Sequence, residues 1–172
     1  MSENRVIGIK GRLPWGHLPK DWAHLFRVTD GIPMIMGRKS YDTPDRIASP
    51  NALNIVVTSQ LDFPLEAGFE RAENLDAALQ IIENQGIKEV FVIGGATIFE
   101  QIISRANTIY LTVVHAEFEG DAFFPLFSEN DFKLIKRDDF EVDKEHQYAF
   151  SILIYEGIMH HKDTKSTNSF LK

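Results

Sequence analysis

The sequence predicts an α/β fold with a mixed, mainly parallel central sheet that is flanked by helices and has an antiparallel C-terminal edge. Three apolar runs of strand length each lead into a turn bearing Gly, Ser or Thr. These runs occupy residues 33–36, 54–57 and 90–93. Runs that are apolar at consecutive positions indicate strands buried on both faces. The last third of the chain offers strand candidates alone, over residues 108–114, 132–140 and 147–155. Alternating strands and helices followed only by strands are typical of this mixed architecture.

Helical patterns lie between the predicted parallel strands. Pro19 is well placed in the first turn of a helix that runs to about Val28. Asn74 can cap a helix over residues 75–82, whose apolar side chains form one stripe. A similar stripe over residues 96–104 predicts a further helix.

Length and composition limit what the protein can be. The 172 residues fit one domain, and we expect that domain over residues 1–157 with a polar, disordered tail over 158–172. The net charge of −7 argues against a nucleic-acid partner. The chain has no cysteine, which excludes disulfides, thiolate zinc sites and a Cys nucleophile. No apolar run approaches the roughly 20 residues that span a bilayer, and no signal peptide is evident. We therefore expect a cytoplasmic protein without a membrane partner.

A glycine pair follows the third apolar run. Gly94 and Gly95 precede Ala96 and Thr97, where a strand ends and a helix begins. Such a junction presents unpaired N–H groups and the positive end of the helix dipole, which suit a diphosphate. A Gly-Gly pair after a strand is nevertheless more often a plain tight turn, so both interpretations stay open for this pair alone.

A basic turn follows the first apolar run. It consists of Gly37, Arg38, Lys39 and Ser40. Most Arg-Lys pairs are simply solvated, but in an acidic protein a basic pair at a helix start is a candidate phosphate clamp. Thr58 and Ser59 add hydroxyl donors after the second run. Because ligands gather at the carboxyl ends of strands in open α/β sheets, the three turns together predict an extended dinucleotide. Arg38 and Lys39 favour NADPH over NADH, because they suit a 2′-phosphate.

Asp21 is the candidate acid. It lies in the first turn of the first predicted helix, on the same face as Leu25 and between Trp15 and Trp22. Most acids at this position only complement the helix dipole. In an apolar pocket, however, the carboxylate can accept paired hydrogen bonds from a heterocycle, with a raised pKa. From the residues alone, these two interpretations are equally supported.

Six motifs in order and spacing give the chain a close resemblance to the dihydrofolate reductase family. They are residues 5–8, 13–15, 18–21, 35–40, 92–95 and 119–125. The resemblance covers roughly residues 4–157 and therefore implies a dihydrofolate-reductase-like fold. It also implies NADPH-dependent reduction of 7,8-dihydrofolate to 5,6,7,8-tetrahydrofolate by hydride transfer to pteridine C6.

The resemblance assigns roles to single residues. Asp21 resembles the acid that anchors the pterin through N3 and the 2-amino group and promotes protonation of N5, while Trp15 and Thr112 resemble its neighbours. The implied walls of the nicotinamide, pterin and substrate pockets are Ile7, Ile93 and Leu25. The implied cofactor-binding residues are Gly37, Arg38, Lys39, Ser40, Thr58, Ser59, Gly94, Gly95, Ala96 and Thr97. The family implies no metal, a small-molecule substrate and a monomer.

Three departures from the family pattern qualify these expectations. The family places an Arg two residues before Asn54 to hold the glutamate of folate, but Ala52 stands there, with Arg46 or Arg27 as possible substitutes. We therefore expect weaker discrimination for the glutamate moiety. Gly16 is an extra residue in the active-site loop and can alter loop closure.

The third departure is that the chain starts where the family's first, central strand should already have ended. We expect an N-terminally truncated form of a longer protein, with Met1 an internal methionine. Two alternatives to dihydrofolate reduction follow from these departures. The chain can be an NADPH-dependent reductase of another pterin or pyrimidine, or an inactive NADPH-binding module.

Overall fold

The computed structural model describes residues 1–158, so the predicted tail beyond Ile158 lies outside the described residues. The elements in chain order are β1 (Val6–Gly8), α1 (Pro19–Thr29), β2 (Met34–Gly37), α2 (Arg38–Tyr41), β3 (Asn54–Val57), β4 (Phe69–Ala72), α3 (Leu75–Asn84), β5 (Phe91–Val92), α4 (Ala96–Ile102), β6 (Thr108–Val114), β7 (Ala122–Phe123), β8 (Phe132–Phe140) and β9 (Phe150–Gly157).

Four parallel strands form the sheet that supports the three predicted turns. Their order is β4-β3-β2-β5, and every pairing among them is parallel. Successive side chains point to opposite faces, so Ile35 packs beneath α3 and α4 whereas Met36 packs with Tyr41 of α2. Burial on both faces explains why β2 is apolar at consecutive positions. The carboxyl ends of β2, β3 and β5 consequently meet at one edge.

Helix α3 begins as its sequence predicts. The Asn74 side chain accepts a hydrogen bond from the Ala77 N–H at 2.9 Å, which satisfies one of the orphan donors of the first turn. Leu75, Ala78 and Ile82 then bury one face of the helix against the sheet. The next helix is shorter than predicted, because α4 ends at Ile102 and a single 3₁₀ turn follows.

The last third of the chain forms antiparallel strands in the order β6-β9-β8. The bounds of β6 and β8 match the predicted segments, whereas β9 begins at Phe150 rather than at Gln147. The residues just before Phe150 instead belong to a turn in which the Asp143 N–H donates to the His146 carbonyl at 3.1 Å.

The mixed α/β class is confirmed, but the antiparallel strands form a separate three-stranded sheet rather than an edge of the parallel sheet. Within residues 1–158, no strand is hydrogen-bonded to both β5 and β6. Met1 and Ser2 lie along β6 instead, where Ser2 forms an isolated parallel bridge with Val114.

Three short strands were not predicted. Strands β1 and β7 pair with each other, and β4 forms the outer edge of the parallel sheet. Gly120 permits the first pairing, because a Cβ there would lie 2.2 Å from Val6 Cγ1. Within the described residues, no helix is long and apolar enough to cross a membrane.

Candidate active site

A cavity of about 900 Å³ opens at the carboxyl ends of β2, β3 and β5 and extends to α1. Most of the residues singled out from the sequence line it: Ile7, Asp21, Leu25, Gly37, Arg38, Lys39, Ser40, Thr58, Ser59, Ile93, Gly95, Ala96 and Thr97. The fold therefore brings together the acid and the three turns, which are far apart in the chain.

The glycine turn packs directly against the basic turn. The Gly37 N–H donates to the Gly94 carbonyl at 2.7 Å, so the ends of β2 and β5 are joined at this point. Gly94 itself does not line the cavity and has φ of +115°, a conformation that favours glycine. A Cβ on Gly95 would lie 3.0 Å from Ser40 Oγ, so the Ser40 hydroxyl occupies the space that a side chain on Gly95 would need.

Helix α4 starts at this turn and points its N-terminus toward the cavity. The N–H groups of Ile98 and Phe99 both donate to the Gly95 carbonyl, at 2.9 and 3.0 Å. The N–H groups of Ala96 and Thr97 precede these first helical hydrogen bonds. Together with the helix dipole, they favour an anionic group.

The other two turns supply cations and hydroxyls. The Arg38 guanidinium lies over the Phe63 ring, 5.6 Å from its centroid. Lys39 follows it on the wall of the same cavity. Thr58 is fixed by its backbone, since its N–H donates to the Ala72 carbonyl at 2.9 Å. These contacts hold the basic turn and the hydroxyl turn on one side of the cavity.

Asp21 lines the same cavity from the first turn of α1. Its Oδ1 accepts a hydrogen bond from Thr112 Oγ1 at 2.5 Å, which connects α1 to β6. Burial raises the pKa of the Asp21 carboxyl above its ordinary value. The Thr112 hydroxyl opposes that rise, and so do the positive charges of the Met1 α-amine, His24 and His17.

The Met1 α-amine is close to this acid. It donates to the Thr112 carbonyl at 2.5 Å. Burial lowers the pKa of this amine to about 5, although the Asp21 carboxylate acts in the opposite direction. The acid, the hydroxyl and the amine thus form one group of polar atoms at the inner wall.

Trp15 does not line the cavity. Its ring packs on Phe118 at a centroid distance of 5.8 Å, within a cluster that contains Leu18 and Phe150. The residue therefore supports the loop before α1 in this structure. Gly16, the extra residue of that loop, has φ of +74°, which is the left-handed region.

Both predicted substitutes for the missing Arg have other partners in this structure. Arg46 lines the cavity, but it is ion-paired with Glu66 and its guanidinium stacks on the Tyr41 ring at 4.6 Å. The hydrogen bond that Arg46 donates to the Glu66 carboxylate raises the pKa of Arg46. Arg27 bonds to His24 Nδ1 at 2.9 Å and lines a separate cavity of about 240 Å³.

Several lining residues had no signal in the sequence. Phe99 and Gln101 reach the cavity from α4, and Glu73 does so from the end of β4. Amphipathic spacing could have placed Phe99 on a buried face, but it could not show that this face closes a ligand cavity. In the described part of the chain, no cluster of three or more His, Asp or Glu side chains is arranged to hold a metal ion.

Comparison with known proteins agrees with this geometry. The family model described as dihydrofolate reductase matches residues 1–157. Dihydrofolate reductase of Bacillus subtilis (strain 168) is 40% identical over 156 residues, covering 91% of this chain and 90% of the relative. Dihydrofolate reductase HdrB of Haloferax volcanii is 34% identical over 163 residues, covering 91% and 79%.

A solved structure resembles the whole fold. It is dihydrofolate reductase from Enterococcus faecalis complexed with NADP(H) and RAB-propyl. The TM-score is 0.76 at 28% sequence identity, and the match covers 91% of this chain and 92% of that chain. The fold and the cavity thus define an α/β protein of the reductase type. The chain belongs to the dihydrofolate reductase family.

Proposed function

We propose that this protein reduces 7,8-dihydrofolate to 5,6,7,8-tetrahydrofolate with NADPH. One observation carries the proposal: the buried acid Asp21 and the phosphate-type turn at Gly95 line the same cavity. Family membership gives the chemistry that such an arrangement serves.

The residues of the cavity fit NADPH. The N-terminus of α4 offers backbone N–H groups to a diphosphate, and a Cβ at Gly95 would press on the Ser40 hydroxyl. Arg38 and Lys39 supply positive charge for a further phosphate, and Thr58 and Ser59 supply hydroxyls. When bound, NADPH supplies the hydride that reduces the C6–N5 double bond of the pteridine.

Asp21 binds and orients the pterin. An ionised carboxylate accepts two parallel hydrogen bonds, and the N3–H and 2-amino groups of the pterin present two donors with matching spacing. Burial raises the pKa of the Asp21 carboxyl, which makes it a stronger base toward a proton entering the site. The proton that N5 needs comes through water, since Asp21 binds the other side of the pterin ring.

Other residues hold the acid and exclude water. Thr112 fixes one oxygen of Asp21, so the other oxygen and the remaining lone pairs face the cavity. Ile7, Leu25 and Ile93 give the cavity apolar walls. Apolar walls strengthen the hydrogen bonds made to the acid, because they lower the local dielectric constant.

Steady-state oxidation of NADPH, followed at 340 nm, tests the proposal. We expect turnover that depends on dihydrofolate, with NADPH strongly preferred over NADH. The matched control is the Asn74→Ala variant, which removes a helix cap from a residue that does not line the cavity. Absence of dihydrofolate-dependent oxidation by a folded protein that still binds NADPH would favour the inactive-module alternative.

A second candidate substrate has its own support. Ala52 supplies no charge where the family has Arg, and both Arg46 and Arg27 are engaged elsewhere. We infer that the enzyme discriminates weakly between dihydrofolate and a dihydropterin without the glutamate tail. Comparable kcat/KM values for the two substrates would support this inference, and a preference of 100-fold or more for dihydrofolate would contradict it.

We also infer a cytoplasmic monomer that binds small molecules and no nucleic acid. The net charge of −7 supports the last part, because a negatively charged surface repels phosphate backbones. Size-exclusion chromatography with light scattering tests the monomer, for which we expect a mass near 19.6 kDa.

A further inference from the structure

A buried histidine in the loop between β8 and β9 reaches the start of the helix that carries Asp21. The His146 side chain has 0% exposure. Its Nε2 accepts a hydrogen bond from the Lys20 backbone N–H at 3.3 Å, across 126 positions of sequence. Lys20 directly precedes Asp21, so this contact lies one residue away from the acid.

Helix α1 needs this contact because it has no local cap. Its N-cap residue, Leu18, makes no capping hydrogen bond through its side chain. Pro19 has no N–H, and the Trp22 N–H donates to the Leu18 carbonyl at 3.1 Å. The Lys20 N–H is one of the orphan donors of the first turn, and His146 satisfies it from another part of the fold.

The contact fixes the tautomer of the histidine. Because the Lys20 N–H is a donor, Nε2 must be the unprotonated nitrogen, and the proton of the neutral ring is on Nδ1. Nδ1 lies 2.6 Å from Asp143 Oδ1, which accepts that proton's hydrogen bond. Asp143 Oδ1 also accepts from the backbone N–H groups of Glu145 and His146, both at 2.9 Å.

A second connection joins the same two segments. Asp143 Oδ2 forms an ion pair with Lys20 Nζ at 2.8 Å. The pKa of the Asp143 carboxyl is held well below its usual range by Lys20 first, and then by His146 and the loop N–H groups. Lys20 thus contacts the loop through its backbone and its side chain, whereas the Phe140 and Phe150 rings supply apolar surroundings.

We propose that His146, oriented by Asp143, is a positioning residue for Asp21. We name the three residues Lys20, Asp143 and His146 the loop clamp. Two supports locate the acid: Thr112 holds its carboxylate from β6, and the loop clamp holds the first turn of its helix from the β8–β9 loop. This role rests on the proposed function, because it acts on the residue that binds the pterin.

The test compares His146→Leu with His146→Gln and with Asn74→Ala. Leu cannot accept the Lys20 N–H, whereas the Gln side-chain oxygen can. Asn74→Ala is the matched control, because it also removes one hydrogen bond from the N-terminus of a helix, but from α3, which does not carry Asp21. Three readouts apply to each variant: steady-state kinetics, the affinity for a 2,4-diaminopteridine measured by Trp fluorescence, and hydrogen exchange of the Lys20 amide.

We expect His146→Leu to lower kcat/KM for dihydrofolate about tenfold, with most of the change in the KM for dihydrofolate and little in the KM for NADPH. Affinity for the diaminopteridine should fall in parallel, and the Lys20 amide should exchange faster. His146→Gln should restore most of the loss. Asn74→Ala should lower Tm about as much as His146→Leu does, but it should leave the kinetic constants, the diaminopteridine affinity and the Lys20 exchange rate unchanged.

Equal kinetic losses in His146→Leu and Asn74→Ala would overturn the proposal, because they would reflect stability alone. Unchanged kinetics and affinity in His146→Leu would also overturn it. A wild-type chain that binds the diaminopteridine without turning over dihydrofolate would contradict the proposed function. In that case the diaminopteridine affinity and the hydrogen exchange of the Lys20 amide would still test the role of the loop clamp. If His146→Leu does not fold, Asp143→Asn is the second variant. Its loss of kcat/KM should likewise lie mostly in the KM for dihydrofolate.

Discussion

Within the described residues, Thr112 is the only residue whose side chain donates a hydrogen bond to Asp21. The Thr112→Val variant removes the hydroxyl that makes this bond. Val keeps the shape and the β-branched character of Thr, so β6 should pair with β9 as before. Thr108→Val is the matched control, because it makes the same change at the far end of the same strand.

The magnitude follows from the type of hydrogen bond that is lost. A hydrogen bond to a charged group contributes about 1.5–3 kcal/mol. At about 1.36 kcal/mol per factor of ten, kcat/KM for dihydrofolate would fall about 10- to 150-fold where all of this energy serves to hold the carboxylate in its pterin-binding orientation. The upper part of this range applies if Asp21 Oδ1 finds no other donor, because a buried acceptor without a partner bears the full cost of desolvation.

The protonation equilibrium of the acid gives an independent readout. The Thr112 hydroxyl stabilises the ionised form and so lowers the pKa of Asp21 against the larger effect of burial. Its removal should therefore raise the pKa of Asp21 further, as measured by NMR titration of the carboxyl carbon. Steady-state assays at 340 nm give the kinetic effect. A pKa that is unchanged or lower in Thr112→Val, or equal losses of kcat/KM in both Val variants, would refute this reasoning.

Three further changes test other parts of the site. Asp21→Asn should stabilise the ligand-free protein at pH 7 by on the order of 1 kcal/mol. Because burial raises the pKa of Asp21, the stability contribution of this carboxyl is complete below its unfolded pKa and is lost as pH rises through its folded pKa. The stability difference between the variant and the wild type, measured by urea unfolding, should therefore shrink toward pH 4. An advantage of equal size at both pH values would contradict this cause. Gly95→Ala places a Cβ 3.0 Å from Ser40 Oγ. This variant should raise the KM for NADPH about tenfold, whereas the affinity for a diaminopteridine should stay the same. Equal effects on both ligands would argue against a cofactor-binding turn at Gly95. Arg38→Met should raise the KM for NADPH about tenfold but change the KM for NADH little, because NADH lacks the 2′-phosphate. Equal changes in the KM for both cofactors would exclude a contact between Arg38 and the 2′-phosphate.

Local chemistry made much of the fold predictable. The Asn74 cap, the β6 segment and the buried run of β2 depend on neighbouring residues or on a regular pattern, and each lies where the sequence places it. The turns at Gly95 and Ser40 also share one cavity as predicted, because the carboxyl ends of parallel strands must meet at one edge.

Long-range contacts were not predictable. The engagement of Arg46 by Glu66 and Tyr41 joins residues whose proximity depends on the path of the chain between α2 and β4. The separation of the two sheets likewise depends on which strands lie side by side, which no local pattern records.

The active-site loop and the helix that follows it were predicted only in part. The acid at Asp21 was found, but its capping contact from His146 spans 126 positions of sequence and leaves no local motif. Trp15 packs on Phe118 outside the cavity lining, so its predicted role beside the acid stays a prediction.

We propose that Asp21 anchors the pterin in a cavity that also binds NADPH. The most direct measurement is the rate of dihydrofolate-dependent NADPH oxidation by the wild type and by Asp21→Asn, with the NADPH affinity of each determined on the same samples. The account predicts that Asp21→Asn lowers kcat/KM for dihydrofolate at least about 100-fold, with NADPH affinity changed less than about threefold. A variant as active as the wild type, or one that loses NADPH affinity and turnover together, would contradict it.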